Sequence, residues 1–216
     1  MTTVALLHGL GGAAATMAPL AEVLSQHGVS TTSLTLPGHG GTEHDLASAT
    51  WQQWLAAVPE ADVLVGQSMG ATLALAAAAA RGNTVRGVVA INPALADADA
   101  AEGLEWQHSR GLEWLDAPDS DGDSDAAAPQ RIPMTAVLQM VHGAMTLDPA
   151  TVTVPVVLAI GALDDTADPW ALDDFAARLG GEVSRLDLPG SGHVATSGPD
   201  LQLLVEPIRR LVARME

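Results

Sequence analysis

Short runs of apolar and β-branched residues alternate with stretches of helical spacing from one end of the chain to the other. Residues 4–7, 31–36, 63–65, 88–91, 154–160 and 183–188 read as strands. Several are almost continuous in valine, leucine, isoleucine and alanine, the pattern of strands covered on both faces. Between the first two, Met17, Leu20, Ala21 and Leu24 recur at helical spacing, and Gly28 is placed to end that helix. Residues 69–80 are rich in alanine, small enough to pack closely on a sheet. Further helices are expected around 175–179 and 201–212. Strand–helix–strand units in this order predict an α/β fold: a doubly wound, mostly parallel sheet of about six strands joined by right-handed crossovers.

One stretch breaks this rhythm. After Ile91 more than fifty residues pass before the next strand. Insertions of that length between core strands are usually caps or lids. Residues 94–151 are therefore expected to form a small helical cap inserted after the fourth strand, with 1–93 and 152–216 making one core. Within it Met134, Val137, Leu138 and Val141 share a helical face, with Met145 close by. That face either lines a pocket or packs the cap on the core, and Trp106 and Trp114 carry the same choice. Trp106, Trp114, Met134, Leu138 and Met145 are thus the candidate substrate-binding residues, whereas Trp51 and Trp54 suit packing of a helix on the sheet.

Charge changes the picture of partners. The 216 residues suit one domain with a sizeable core, and they carry 26 acidic against 9 basic side chains, for a net charge of -17. A nucleic-acid binder working through a basic face is excluded, as is a polybasic anchor on an anionic membrane. The acid is also uneven. Ten carboxylates lie between Asp97 and Asp125 against the single cation Arg110, so 9 of the 17 net charges belong to this stretch. Within the acidic loop 116–125, Asp119–Asp125 resembles a calcium site only faintly: counted from Asp119, Gly122 falls at the fourth position rather than the sixth, and Gln130 stands where a bidentate glutamate is required. The acid is expected to keep a cap soluble, to disfavour anionic substrates and to hasten release of a carboxylate product. With no cysteine there is no disulfide, thiolate nucleophile or zinc–sulfur knot. No signal-peptide pattern opens the chain, and the longest apolar run, near 71–80, is too short to cross a bilayer. The expected location is cytoplasmic.

The chemistry begins at Gly66-Gln67-Ser68-Met69-Gly70, which follows a strand and opens a helix. In that context G-x-S-x-G is a nucleophile elbow: a sharp turn lifts the serine clear of the sheet, and small flanks admit the turn. The helix that follows aims its first amides at any anion formed beside Ser68. A base is needed, and His193 has the right setting among seven histidines. It follows the last strand within Gly190-Ser191-Gly192-His193, at the carboxyl edge where catalysis gathers in open parallel sheets. His27, His44, His108 and His142 have no such setting. The third member would orient the imidazole. Asp164 follows the strand 154–160 and gives the chain order Ser68, Asp164, His193. Asp165 and Asp168 compete with it, because an aspartate there can simply cap a helix, and Asp97 is a more remote alternative. His8-Gly9-Leu10-Gly11-Gly12 follows the first strand and lets backbone amides approach a substrate. It lacks the Walker lysine and the dinucleotide spacing. The Leu10 and Met69 amides are the expected oxyanion hole.

These segments, in this order, resemble the α/β-hydrolase fold family over most of the chain. Leu6-Leu7-His8-Gly9 and Leu36-Pro37-Gly38-His39-Gly40 match its opening, and 66–70, 161–164 and 192–193 match the rest. Within it the chain is most similar to compact bacterial carboxylesterases and monoacylglycerol lipases. The resemblance implies Ser68, Asp164 and His193 as the triad, Leu10 and Met69 as oxyanion donors, and a structural role for His39. It implies hydrolysis of a small-molecule carboxylic ester, of short to medium acyl length or a monoacylglycerol, through an acyl-enzyme, with no metal or organic cofactor. The same fold also serves thioester hydrolysis, carbon–carbon cleavage, the elimination step of menaquinone synthesis and non-catalytic ligand binding. Two departures stand out: the family's early edge strands have no counterpart ahead of His8, and the cap matches no family pattern.

Overall fold

The computed structural model describes residues 2–116, 131–166 and 169–214. In chain order the elements are β1 (Val4–Leu7), α1 (Ala18–Gln26), β2 (Thr31–Ser33), α2 (Glu43–Ser48), α3 (Trp51–Ala57), β3 (Val63–Gln67), α4 (Met69–Ala80), β4 (Gly87–Ile91), α5 (Ala98–Ser109), β5 (Trp114–Asp116), β6 (Arg131–Pro133), α6 (Met134–Met145), β7 (Val156–Gly161), α7 (Pro169–Arg178), β8 (Val183–Leu188) and α8 (Val205–Ala213). Six strands form one sheet in the order β2-β1-β3-β4-β7-β8, and every pairing is parallel. The predicted α/β fold with a doubly wound parallel sheet is what the chain adopts.

Alternation along the strands shows why both faces must be covered. Ala5, Leu7, Leu64, Val88, Ala90 and Leu158 face a core that also holds residues of α3, α4 and α6. Val4, Leu6, Val63, Val65, Val89 and Ala159 face a second core shared with α1 and α8. With a side-chain period of two, a strand with apolar residues at every position needs a helix layer on each side.

Element ends differ from the sequence expectation for local reasons. The second strand stops at Ser33, well short of residue 36, because the Leu36 N–H donates to His8 Nε2 (3.0 Å) in place of a ladder partner. The fifth sheet strand starts at Val156, since Pro155 lacks the N–H that a ladder requires. The final helix is divided into a 3₁₀ turn, Leu201–Leu204, followed by α8.

The segment between β4 and β7 is not purely helical. Besides α5 and α6 it contains an antiparallel pair, with Trp114 opposite Pro133, Leu115 opposite Ile132 and Asp116 opposite Arg131. Strands of three residues carry no readable periodicity, so the pattern of the chain does not reveal them. Most of the acidic loop 116–125 lies outside the described residues; Asp116 is its described member. The helix α6 is held firmly to the core. A Cβ on Gly143 would run into the Trp51 ring, so the helix approaches α3 as closely as glycine permits. The Trp51 N–H donates to Gln139 Oε1 (3.3 Å), and Thr135 Oγ1 donates to the Ala47 carbonyl (3.1 Å). Trp51 and Trp54 are both buried as expected, Trp54 Nε1 donating to the Pro37 carbonyl (2.9 Å). Among the described residues no helix is long and apolar enough to cross a membrane.

Candidate active site

Most of the buried polar side chains sit at one edge of the sheet. His8 follows β1, Gln67 and Ser68 end and follow β3, Asn92 follows β4, and Ser191 lies just beyond β8. Polar groups are retained inside a protein only where partners satisfy them, so this row at the carboxyl ends of the strands marks the site.

Ser68 occupies a turn of unusual backbone. Its φ is 56°, a left-handed conformation costly for a residue with a side chain. The turn persists because its flanks are glycines. A Cβ on Gly66 would strike the Gly70 backbone, and one on Gly70 would lie 2.6 Å from the His8 carbonyl oxygen while striking that of Leu7. Backbone neighbours cannot rotate away. The Ser68 N–H donates to the Ile91 carbonyl (2.9 Å), which ties the turn to β4.

His193 reaches the serine from the loop after β8, with Nε2 2.9 Å from Ser68 Oγ. Its Nδ1 is 3.0 Å from Asp164 Oδ2. An ionised carboxylate only accepts, so Nδ1 carries the proton and Nε2 is left to accept from the serine hydroxyl. Thr166 completes the group: its hydroxyl donates to Asp164 Oδ1 (2.7 Å) and lies 2.6 Å from His193 Nδ1, and its N–H also donates to Oδ1 (2.9 Å). The Asp164 side chain is 2% exposed and that of His193 12%. Burial pushes the Asp164 carboxyl up, but hydrogen bonds from His193 and Thr166 outweigh it and hold the group below the ordinary carboxylate range. Asp164 is therefore the aspartate at the imidazole. Asp97 instead accepts from the Ala100 N–H (2.8 Å) as the cap of α5, and Asp168 lies outside the described residues.

The loop after β1 is fastened by a histidine. His8 is fully buried, its Nε2 accepts from the Leu36 N–H, and so its Nδ1–H donates to the Gly9 carbonyl (2.8 Å). Burial lowers its pKa to about 4, with the Gly9 carbonyl pulling the other way and His39 adding to the depression. His39 packs edge-on against both His8 and Trp54, at 4.8 and 5.7 Å between ring centres. A Cβ on Gly9 would sit 3.2 Å from the Ser68 Cβ, so the backbone leading into Leu10 lies against the serine. Met69 opens α4, where a helix N–H has no partner within the helix.

Above Ser68, Leu10 and His193 opens a cavity of about 1070 Å³. Its walls include Ile132, Val137, Met140 and Met145 from the inserted segment and Phe175 from α7. Of the five residues expected at the substrate, Met145 lines it. The other four do not. Trp106 projects to solvent, 66% exposed, and Trp114 lies under the Arg131 guanidinium at 5.1 Å. Met134 is fully buried and Leu138 packs on the same core. The expected face of α6 is divided: Val137 lines the cavity, joined by Met140 and Ala144 from the neighbouring stripe, whereas Met134 and Leu138 pack on the core. Periodicity finds an apolar face but cannot choose between neighbouring stripes. Asp97, Asp116 and Asp174 also line the cavity, against Arg178, which is itself 3.4 Å from Asp174. His27, His44, His108 and His142 are away from the site, His142 pairing with Glu105 at 2.9 Å.

A parallel sheet with a strained serine turn after its third strand in sequence, and aspartate and histidine on loops after later strands, defines a hydrolase-type α/β protein. The chain belongs to the alpha/beta hydrolase family, whose model matches residues 4–202. It is 27% identical to a thermostable monoacylglycerol lipase of Bacillus sp. (strain H-257), over 94% of this chain and 87% of that protein. Among solved structures it is similar to one described with the metagenome-derived lipolytic enzymes LipS and LipT: TM-score 0.84, 25% identity, covering 98% of this chain and 93% of that one. It also shares its fold with a monoacylglycerol lipase of Paleococcus ferrophilus, with TM-score 0.72 and 20% identity over 98% and 94% of the two chains.

Proposed function

We propose that the chain is a serine hydrolase of carboxylic esters, acting on acyl esters of short to medium length or monoacylglycerols through an acyl-enzyme on Ser68. The carrying observation is the continuous hydrogen-bonded series Ser68–His193–Asp164 opening on a cavity with apolar walls. His193 takes the hydroxyl proton as Ser68 attacks the ester carbonyl. The oxyanion rests on the Leu10 and Met69 amides, and His193 then protonates the leaving alcohol. Water repeats the sequence and frees the acid. Residues 94–151 act as a cap whose Met140 and Met145 contact the acyl chain.

The relatives support this reading, since the Bacillus protein is named a monoacylglycerol lipase and the metagenome-derived enzymes are described as lipolytic. The wall charges sharpen it. Three carboxylates at the cavity repel a polyphosphate-bearing thioester and leave neutral esters favoured. Ser68→Ala should lower hydrolysis of nitrophenyl esters at least about 10³-fold while the circular dichroism spectrum stays native. Retained turnover would sink the assignment. Labelling of the Ser68 peptide by a fluorophosphonate, read by mass spectrometry, tests the nucleophile independently.

A further inference from the structure

Asn92 is fully buried, stands one residue beyond β4, and has a φ of 43°. Asparagine tolerates this left-handed region better than most residues with a side chain. No motif includes it. Its amide is nevertheless fully used. Oδ1 accepts from the Gly161 N–H (2.8 Å), at the end of β7, and Nδ2 donates to the carbonyls of Gly192 (2.9 Å) and His193 (2.8 Å). The orientation is unambiguous, because a reversed amide would face an N–H with its NH₂ and two carbonyls with its oxygen. A second amide reaches the same place: Gln67 Nε2, from the residue before the serine, donates to the His193 carbonyl (3.0 Å). The His193 carbonyl thus receives one donor from each of two neighbouring strand ends. The adjoining residue, Ile91, accepts the Ser68 N–H. The dipeptide Ile91-Asn92 therefore touches all three segments that carry Ser68, Asp164 and His193.

We propose that Asn92, assisted by Gln67, is a positioning residue that holds the His193 backbone at the distance from which the ring reaches Ser68 and Asp164 together. The proposal rests on the reading of Ser68 and His193 as nucleophile and base. Physically, Asp200 anchors the first part of this loop, accepting from the Gly190 N–H (2.6 Å) and the Ser191 hydroxyl (3.0 Å), while the two amides act at the His193 carbonyl itself and so set the place from which the ring projects. The hydrogen bonds are buried, where an unmet carbonyl is costly and the preferred geometry is narrow.

The test uses the full chain and a nitrophenyl ester, with rates normalised to the serines titrated by a fluorophosphonate. Asn92→Asp keeps an acceptor for the Gly161 N–H and removes both donors to the histidine loop. Its kcat per titrated serine should fall about 10–100-fold, with KM within about twofold and the rate of fluorophosphonate labelling falling in parallel. Gln67→Met, which removes only one donor, should lose about 3–10-fold, and the double variant should lose less than the product because the two share an acceptor. A purely structural role would lower the titratable fraction and leave kcat per serine within about twofold of wild type, which would overturn the proposal. Should Asn92→Asp fail to fold, an unchanged kcat in Gln67→Met overturns it as well. Absence of fluorophosphonate labelling in the wild type would instead remove the serine-hydrolase reading on which it depends.

Discussion

Two helices of twelve residues, α4 and α5, follow adjacent strands of the sheet and meet opposite surroundings. In α4 nine residues are buried, among them Met69, Leu73 and Leu75; in α5 only Ala101 is. The first helix starts beside Ser68 and lies in the core, so almost any added atom meets backbone or packed side chain. The second projects Glu102, Glu105 and Trp106 toward solvent and packs chiefly on α6, with Asp97 capping its own first turn. The contrast separates two kinds of constraint around one cavity. Its floor is held by backbone packed on backbone, whereas its roof is uneven: α6 is held closely to α3 and α5 is mostly exposed.

The contrast can be broken first at the floor. Gly70→Ala places a methyl group against the Leu7 and His8 carbonyls, neither of which can rotate aside. Stability should fall by about 3 kcal/mol or more, read as a shift of the urea midpoint. A loss below about 1 kcal/mol would show that the floor yields.

Acid should act on the same region to a similar extent. His8 is neutral in both states above about pH 6.5. Between there and pH 4 the unfolded chain binds a proton that the buried ring, with its pKa near 4, refuses. Stability therefore declines as pH falls through this window, by ~3 kcal/mol from this residue, and the loss is complete once both states are protonated. The Asp164 carboxyl, held low in the folded state, adds a loss of the same sign as pH falls further. Thermal unfolding between pH 7 and 4 should show the decline, with a flatter curve for His8→Asn.

At the roof the effects should shrink. Gly143→Ala meets the Trp51 ring, a side chain able to move, and should cost about 1–3 kcal/mol while raising KM through displacement of the Met140 stripe. An unchanged KM would detach α6 from the substrate. Trp106→Ser, on the exposed face of α5, should change stability by less than about 0.5 kcal/mol and leave kcat alone. Loss of activity there would move Trp106 back toward the substrate.

Much of the floor was legible along the chain because its signals are local. Apolar runs announced the core strands, and glycines at both flanks of Ser68 announced a turn that nothing larger permits. The roof was legible as an interruption holding one amphipathic helix, Met134–Met145. Short strands such as Trp114–Asp116 lack the length to show a period, and the Met134–Met145 face left its rotation open.

What the sequence determined by itself was the order of the six sheet strands, the sharp turn at Ser68 and the residue types available to partner it, since each depends on a handful of adjacent residues. Only the tertiary structure decided that Asp164 meets His193 with Thr166 beside it, that Met140 lines the cavity with Val137 while Met134 and Leu138 pack on the core, and that Asn92 joins the ends of the Gly161 and His193 segments. Asn92 and His193 are 101 positions apart, and no period or motif spans that distance. Stacking β3, β4, β7 and β8 side by side brings their ends together, and the contact exists because the sheet does.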